Sequence, residues 1–440
     1  MLRKYWIEIS LFLLANIAFF VVQLLSGNFL TDDSFDYLQT ADNLLNDQIL
    51  YSADLDAEIF PEYYTWYTPG YPFLLVLFRL LTQSLIPVIV FQVLISLGSF
   101  LLLLKTFQPG KAGSILLVFL SLFFPAQFIY ANLLVPEILL QFIIMAAVLQ
   151  LFRFIQTENI RILWSYQSLL ILAILIKPML SVFVVPNILV FIILYAKSKQ
   201  RLVFISSLIP VVFLIIFAGI NQQRTGYFHI SSIHKKQLVE EKLYPFLLER
   251  DGEEIANENS GALLRECTDE RDFKSEWQCL SSSTRAIIRE DLQAYTFFHL
   301  KGSFYFFLDP GQAVIEKFFE NKSQIASKQD SKVINEGLIV KRGESHGLSS
   351  LMYVFLLLIL GINVLRVIGF LFFLFNRRVN GSFRLYLFLL ITSVALFAGP
   401  MGSAENQLAI ILLLTGSASF QYSVWMKRLF VFLRKKKSDH

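Results

Sequence analysis

Long apolar stretches alternate with short polar breaks along most of the chain. The stretches approach the length of about 20 residues that an α-helix needs to cross a hydrocarbon core of about 30 Å. They predict ten membrane-spanning helices, near residues 7–26, 85–105, 112–132, 135–153, 163–180, 182–196, 202–220, 349–375, 385–401 and 406–424. The predicted fold class is therefore an all-α polytopic membrane protein with about ten transmembrane helices.

Two polar regions interrupt this pattern, at residues 27–84 and 221–348. We expect three parts: a membrane module over residues 1–220 that carries the first polar loop, a small external lobe over residues 221–348, and C-terminal spans with a basic tail over residues 349–440. Periodic stretches such as the one from Ser283 to Leu300 predict helices within the lobe.

Composition supports a membrane protein and excludes the soluble classes. Of the 440 residues, 55% are hydrophobic and only 16% are charged, and the mean hydropathy is +0.58. Soluble globular domains carry about 25% charged residues. The sequence also contains no GxxxxGK[ST], GxGxxG, HExxH or CxxC motif. Nucleic-acid readers, disulfide-rich secreted scaffolds and ATP-driven pumps are therefore excluded.

The distribution of charge predicts the orientation in the membrane. Between Gly27 and Phe78 there are nine acidic residues and no Lys or Arg. Elsewhere short basic clusters adjoin the apolar spans, and such clusters favour the cytoplasmic side. We expect the loop and the lobe outside and both termini in the cytoplasm. The C-terminal residues carry no KDEL-type retention signal, so a bacterial inner (plasma) membrane with a periplasmic active site is the expected location.

Both cysteines, Cys267 and Cys279, lie in the predicted lobe. A closely spaced, even-numbered pair in an oxidising compartment predicts a disulfide. Two free thiols are the alternative.

The beginning of the first polar loop carries the clearest candidate chemistry. Its spacing predicts a short helix with an apolar face formed by Tyr37, Leu38, Ala41, Leu44 and Leu45. A helix of this kind lies on the membrane surface and places Asp32 and Asp33 at the boundary of water and lipid, where a carboxylate can accept a proton. Further along, the stretch Thr68-Pro69-Gly70-Tyr71-Pro72 predicts a rigid turn into another helix.

Charged residues at the ends of spans are further candidates. Lys177 follows a charge-free apolar run, and an ionisable residue there is a functional candidate, with snorkelling to the interface as the alternative. Glu137 opens the fourth span, where the helix dipole favours a carboxylate, so capping alone would also explain it. Arg224 and His234 follow the seventh span, and Glu405 lies between the last two spans.

These motifs together resemble the GT-C superfamily of polyprenyl-phosphate-sugar-dependent glycosyltransferases. The match lies in Asp-Ser-x-x-Tyr-Leu-x-x-Ala-x-x-Leu after the first span, Thr-Pro-Gly-Tyr-Pro, Val-Pro-Glu137, Lys177-Pro and Asn-Gln-Gln-Arg224-Thr-Gly-Tyr-Phe. It covers roughly residues 5 to 230 and is similar to the branch with protein mannosyltransferases and the lipid A aminoarabinose transferase. Many members of that branch carry an Arg-Tyr pair where this chain has Glu405-Asn406.

The resemblance implies roles for particular residues. Asp33 matches the acid of the family's first loop, which deprotonates or positions the acceptor hydroxyl, and Asp32 and Asp36 are its alternatives. Binding of the donor phosphate and sugar would fall to Lys177, Arg224, Tyr71 and Glu137. His234 and Glu405, with Asp36, are the acceptor-side or secondary candidates.

The function predicted on this basis is transfer of a sugar from a polyprenyl-phosphate carrier to a hydroxyl of a lipid, glycan or protein at the outer membrane face. A flippase or transporter of lipid-linked glycans and an O-antigen-type polymerase or ligase are the alternatives. A hard divalent cation could bind Asp32, Asp33 and Asp36 through oxygen, but we expect neither a metal nor another cofactor. The expected partners are the lipid-linked donor, the acceptor and membrane lipids, with no nucleic acid.

Overall fold

The computed structural model describes residues 2–268, 272–319 and 350–438. Within these ranges the regular secondary structure is helical, and no strand is present. Residues 320–348 of the predicted lobe lie outside the described residues. The all-α polytopic class predicted from the apolar pattern is confirmed.

The N-terminal half forms a bundle with surface helices beside it. Its first helices are α1 (Trp6–Ser26), α2 (Asp32–Asn46), α3 (Gly70–Arg79), α4 (Ile86–Phe107), α5 (Lys111–Leu122) and α6 (Pro125–Tyr130). They are followed by α7 (Glu137–Thr157), α8 (Ile160–Ile176), α9 (Val184–Ser198), α10 (Arg201–Ser207) and α11 (Ile209–Thr225). Short 3₁₀ segments occupy Leu2–Lys4, Pro61–Tyr64 and Pro178–Phe183.

The C-terminal half contains the polar lobe and three long helices. In the lobe are α12 (Ile233–Lys236), a π-helical segment (Gln237–Leu243), α13 (Tyr244–Asp251), α14 (Glu253–Thr268), α15 (Phe273–Glu290), α16 (Leu292–Tyr305) and α17 (Gln312–Phe319). The chain then returns through α18 (Ser350–Leu374), α19 (Gly381–Ala398), a 3₁₀ turn (Gly399–Met401) and α20 (Ala404–Ser438).

Eight helical segments in the described ranges, not ten, are long and apolar enough to span a membrane. They are Trp6–Ser26, Ile86–Phe107, Glu137–Thr157, Pro178–Ser198, Arg201–Thr225, Ser350–Leu374, Gly381–Ala398 and Ala404–Arg428. The predicted spans near residues 112–132 and 163–180 correspond instead to shorter helices. Pro125 follows a break after α5, and Pro178 ends α8 at Ile176, because a proline cannot donate the backbone hydrogen bond that a helix interior needs.

These two shorter segments nevertheless connect opposite ends of the bundle. The hydroxyl of Ser114 binds Glu8 near the start of α1, whereas the backbone N–H of Leu134 donates to the carbonyl of Phe29, just beyond the end of α1. Similarly α8 starts beside the C-terminal end of α7 and returns to its first residue, Glu137. Its 17 residues correspond to a length of about 25 Å.

A buried arginine stabilises the break between α5 and α6. Arg366 lies in α18, is fully buried, and donates to the carbonyls of Leu120 and Phe123 and to the side chain of Asn363. The carbonyls at the end of α5 have no partner within their own helix, and leaving them unpaired in an apolar medium is costly. The guanidinium group therefore acts as a C-terminal cap supplied by a distant helix.

Helix α20 lies at the centre of the bundle. In its most apolar window 83% of the residues are buried, compared with 17% for α1. Glycines allow neighbouring helices to approach it closely: a methyl group at Gly416 would collide with Phe107, and one at Gly369 of α18 would collide with Ala418. Small residues at such contacts are typical of helix packing in membranes.

The lobe has a hydrophobic core of its own and packs on the first polar loop. The core includes Leu243, Phe246, Leu247 and Leu263, and a disulfide joins Cys267 of α14 to Cys279 of α15. The lobe contacts the loop through the hydroxyl of Ser231, which donates to the carbonyl of Trp66 at 2.7 Å. The two polar regions therefore form one continuous surface at the end of the bundle where α1 ends.

Candidate functional site

Helix α2 places Asp33 directly after the first span. Thr31 precedes the helix, and its backbone N–H donates to the hydroxyl of Ser34 at 2.8 Å, as in a capping box. Carboxylates in the first turn are favoured by the helix dipole. The buried Tyr37 and Ala41 fix the helix to the bundle, so the predicted surface helix has its predicted apolar anchor and Asp33 has a defined position.

Three tyrosines support this acid. The hydroxyl of Tyr67 lies 3.2 Å from Oδ1 of Asp33 and 3.4 Å from Oδ2 of Asp36, so its single proton is shared between the two carboxylates. The ring of Tyr37 packs 4.1 Å from the ring of Tyr67 and 5.1 Å from that of Tyr71. Burial, followed by the charges of Asp33 and Asp36, raises the pKa of Tyr67, which keeps it a hydrogen-bond donor.

Tyr71, predicted to contact the donor, is instead a fully buried support. Its hydroxyl donates to Oε1 of Gln92 at 2.8 Å, and the amide of Gln92 donates to the carbonyl of Leu133 at 2.6 Å. Tyr71 therefore connects the turn at Pro69 to the bundle, and its ring packs against the ring of Tyr37. Its hydroxyl is used within the protein.

Lys177 is the centre of an ion cluster made by three helix ends. Its Nζ lies 2.8 Å from Oε1 of Glu137 and 2.6 Å from Oε1 of Glu405. The three residues come from the C-terminal end of α8 and the first turns of α7 and α20. Their side chains differ in exposure: 18% for Lys177, 6% for Glu137 and 35% for Glu405. Lys177 is thus paired on its buried side and on its open side.

Asp33 lies close enough to this cluster for the charges to interact. Burial raises the pKa of Asp33, the charge of Glu405 raises it further, and Lys177 and the Tyr67 hydroxyl act in the opposite direction. The carboxyl remains accessible to solvent although protein surrounds most of it. A carboxyl with a raised pKa binds a proton more readily near neutral pH, which suits a general base.

The structure adds residues that the sequence analysis did not single out. Burial and then the charge of Glu405 raise the pKa of Glu241, so this lobe residue faces the cluster. Lys236 lies close enough for its charge to lower the pKa of Asp33. Of the residues that were missed, only Tyr67 had a signal in the sequence, because it directly precedes the Thr68-Pro69 turn. Glu241 and Lys236 carry no motif, since long-range folding of the lobe brings them here.

The remaining predicted residues lie around or away from this centre. Asp32 is exposed at the start of α2, and Arg224 is exposed at the end of α11 without a hydrogen bond or ion pair to another described residue. His234 packs against Phe397, with ring centroids 6.0 Å apart. Burial and the nearby Lys242 lower the pKa of His234 to about 4. The structure therefore brings Asp33, Asp36, Lys177, Glu137 and Glu405 together but not Arg224.

A cavity of about 650 Å³ opens beside Asp33, between α2, the first polar loop and the lobe. Asp36 lines it, so the Tyr67 hydroxyl connects the cavity to Asp33. Its wall includes the aromatic rings of Tyr63 and Trp66. Glu137, Lys177 and Glu405 are not among its lining residues. The cavity and the ion cluster are therefore formed by different residues.

Metal binding has no clear basis in the described part of the chain. Over residues 2–268, 272–319 and 350–438, no group of three or more His, Cys, Asp or Glu side chains is arranged to hold a metal ion. The expectation that no metal is needed stays a prediction.

Comparison with solved structures shows the fold. The chain superposes on the archaeal oligosaccharyltransferase AglB from Archaeoglobus fulgidus, solved with an inhibitory peptide and a dolichol-phosphate, with a TM-score of 0.52 and 14% sequence identity. The chain therefore has a GT-C-like fold. The superposition covers 100% of this chain and 52% of that enzyme, so this chain spans about half its length. No protein-family model matches the sequence, and no curated protein sequence matches it.

Proposed function

We propose that this protein is a membrane glycosyltransferase that moves one sugar from a polyprenyl-phosphate carrier to a hydroxyl acceptor. The observation that carries the proposal is Asp33, held by Tyr67 beside the Lys177–Glu137–Glu405 cluster at one end of a GT-C-like bundle. The acid-rich loop lies at this end, so it faces the periplasm of a bacterial inner membrane, with both termini in the cytoplasm.

Asp33 acts as the general base in this proposal. The acceptor hydroxyl transfers its proton to the carboxylate of Asp33 as its oxygen forms a bond to the anomeric carbon. The bond between that carbon and the phosphate oxygen breaks, and its electron pair leaves with the polyprenyl phosphate. Attack from the side opposite the leaving group inverts the anomeric centre. The burial around Asp33 supports this role because it strengthens the proton affinity of the carboxylate.

Lys177 supplies positive charge for the departing phosphate. An ammonium group has three N–H donors, and the contacts with Glu137 and Glu405 use two of them. Glu137 is almost fully buried and holds Lys177 in place, whereas Glu405 is partly exposed and can be displaced. The phosphate therefore competes with Glu405 for Lys177. This explains how an acid can stand where the resembled branch has an Arg-Tyr pair.

The lipid-phosphate donor agrees with what the structural neighbour binds. AglB was solved with a dolichol-phosphate and a peptide, and the sequence motifs of the first 230 residues resemble the branch that uses polyprenyl-phosphate sugars. Both points support a lipid-linked donor. No cofactor is required for the transfer as written, since the proton and the leaving group are both accounted for.

Transfer of labelled sugar tests the proposal directly. Purified protein is incubated with a panel of radiolabelled polyprenyl-phosphate sugars and a membrane extract as acceptor, as wild type, Asp33→Asn and Asp32→Asn. Asp32 is the matched control because it neighbours Asp33 in the first turn of α2, whereas the Tyr67 hydroxyl contacts Asp33 and Asp36. We expect transfer by wild type and Asp32→Asn, and a loss of about 10²- to 10⁴-fold in Asp33→Asn, the usual contribution of a general base.

Two outcomes contradict the proposal. Full transfer by a correctly inserted Asp33→Asn variant removes the assigned base. Binding of labelled donor without transfer from any member of the panel favours a flippase of lipid-linked glycans.

A further inference from the structure

We propose that the cavity beside Asp33 binds an uncharged glycan, so that the acceptor hydroxyl belongs to a sugar. The inference rests on the proposed function and specifies the acceptor that the same site uses. It is carried by three properties of the cavity: its position relative to Asp33, the balance of charge on its walls, and the aromatic surface that it presents.

Position makes the cavity suitable for the acceptor. Asp36 lines it and shares the hydroxyl of Tyr67 with Asp33, so one shared hydroxyl separates the cavity wall from the proposed base. Lys177 and its two carboxylate partners lie outside the lining. A displacement with inversion needs the nucleophile and the leaving phosphate on opposite sides of the anomeric carbon. The cavity lining and the Lys177 cluster share no residue, so the acceptor and the phosphate have separate sites from which to meet this requirement.

Charge excludes an anionic acceptor. Five carboxylates line the cavity, from Asp36, Asp54, Glu62, Glu240 and Glu276. The two lysines are already paired: Lys235 contacts both Glu62 and Glu276, and Lys236 lies 3.8 Å from Glu240. The lining residues carry five acidic and two basic side chains, and this excess of negative charge disfavours the phosphate groups of an anionic lipid. The walls favour a neutral molecule that donates hydrogen bonds.

The hydrogen-bonding balance favours sugar over peptide. Ionised carboxylates only accept hydrogen bonds, and five of them line the cavity beside two lysines that already contact acids of the wall. Each sugar hydroxyl can donate to such a carboxylate. A peptide backbone presents about as many carbonyl acceptors as N–H donors, so it is less well matched than a sugar to a wall with five carboxylates. The cavity is therefore matched to a polyhydroxylated ligand.

Aromatic rings provide the complementary apolar surface. The rings of Tyr63 and Trp66 lie 5.5 Å apart and are tilted by 47° to each other. Phe35 adds a ring that is 47% exposed. The C–H face of a pyranose ring packs on such surfaces while its hydroxyls turn toward the carboxylates. A volume of about 650 Å³ is within the range of ligand pockets and accepts the end of an oligosaccharide.

The test measures acceptor use by the purified full-length protein with a labelled donor that wild type is shown to consume. The acceptors are maltotetraose, chitotetraose, a phosphorylated glycolipid, and a peptide rich in Ser and Thr. We expect transfer to a neutral oligosaccharide. In Trp66→Leu the acceptor KM should rise about fivefold to tenfold, while the donor KM stays within about twofold because the donor phosphate binds at Lys177, outside the cavity lining.

Two matched controls keep the result specific. Trp164→Leu changes a tryptophan that is 46% exposed on α8 and does not line the cavity, so the acceptor KM should not move. Asp54→Lys reverses a charge on the cavity wall and should improve use of the phosphorylated glycolipid, whereas Asp56→Lys, two residues away and not in the wall, should not.

The outcomes separate the two proposals. Transfer only to the peptide or to the phosphorylated glycolipid, or transfer to a glycan that Trp66→Leu leaves unchanged, overturns the glycan cavity while the glycosyltransferase stands. If wild type consumes none of the donors, the proposed function itself fails.

Discussion

Glu405→Gln offers a direct test of how the donor phosphate binds. In the structure Glu405 takes one of the donors of Lys177 at 2.6 Å, while the more deeply buried Glu137 takes another at 2.8 Å. A phosphate that binds Lys177 must compete with the partly exposed carboxylate. Neutralising Glu405 removes the competing charge but keeps the size of the side chain. The variant should therefore bind the donor more tightly than wild type.

The expected change in donor affinity follows from the solvent exposure of the Lys177–Glu405 ion pair. Hydrogen bonds between charged groups contribute about 1.5–3 kcal/mol when well buried, and exposed ion pairs contribute about 1 kcal/mol or less. Glu405 is 35% exposed, so we take about 1 kcal/mol for its competition with the phosphate. Since about 1.4 kcal/mol changes an equilibrium constant tenfold, the donor dissociation constant should fall about fivefold.

The assay combines donor binding with initial rates. Binding of a polyprenyl-phosphate sugar is measured by calorimetry, because KM equals the dissociation constant only when chemistry is slow relative to release. Glu137→Gln is the matched control, and we expect it to change donor binding in the opposite direction. Removing this buried partner of Lys177 should weaken donor binding and lower the thermal midpoint, because breaking a buried pair costs about 3–5 kcal/mol.

One result would refute this reasoning. In that result Glu405→Gln binds the donor no better than wild type, and its kcat falls by about tenfold or more. A loss of that size is expected for a group that acts on the reacting atoms. Glu405 would then not compete with the phosphate. The carboxylate would then contact the sugar or the acceptor during the reaction.

Two further predictions concern stability. Arg366→Met should lower the midpoint of thermal unfolding in detergent, because the carbonyls of Leu120 and Phe123 lose their cap and each unpaired buried group costs about 1–3 kcal/mol. Burial lowers the pKa of His234 to about 4, against about 6.5 in an unfolded chain. The unfolded state therefore binds more protons between these values, so His234 should reduce stability as the pH falls from about 6.5 toward 4, and His234→Gln should remove that part of the loss.

Each of these has a control and a contrary result. Arg377→Met changes an exposed arginine beyond the end of α18 and should leave the midpoint in place; equal midpoints for both arginine variants would show that the cap contributes nothing. For His234 the comparison is the difference between variant and wild type at each pH, which removes the contribution of other titrating groups. A difference that does not change between pH 7 and pH 5 contradicts the assigned pKa.

Apolar length and local motifs predicted most of the fold and the position of the central acid. The spans that are continuous helices, such as α1 and α4, have the length and composition that the membrane requires. Helix α2 itself was predicted from the spacing of its apolar residues. The count of ten long spans was wrong for α5 and α8, since Pro125 and Pro178 shorten those helices although the apolar composition continues.

The partners within the site could not be predicted in the same way. Glu405 contacts Lys177 across 228 positions of sequence, and Tyr67 reaches Asp33 across 34. No periodicity within one segment encodes such contacts, because they depend on how whole helices pack. Arg224 was chosen because it follows a predicted span and carries the expected charge. In the structure it is exposed and has no ion pair among the residues described, and its role in phosphate binding stays a prediction.

The central position of α20 has a consequence for biosynthesis. This helix is synthesised after the other seven candidate spans in the described ranges, yet it is more buried than any of them. Before α20 inserts, the helices made earlier must therefore lie in the membrane with lipid in the groove that α20 later occupies. Glu405, in the first turn of α20, enters with it. A nascent chain that stalls before α20 inserts lacks both its central helix and the Glu405 side of the Lys177 cluster, so this cluster forms only after α20 has inserted.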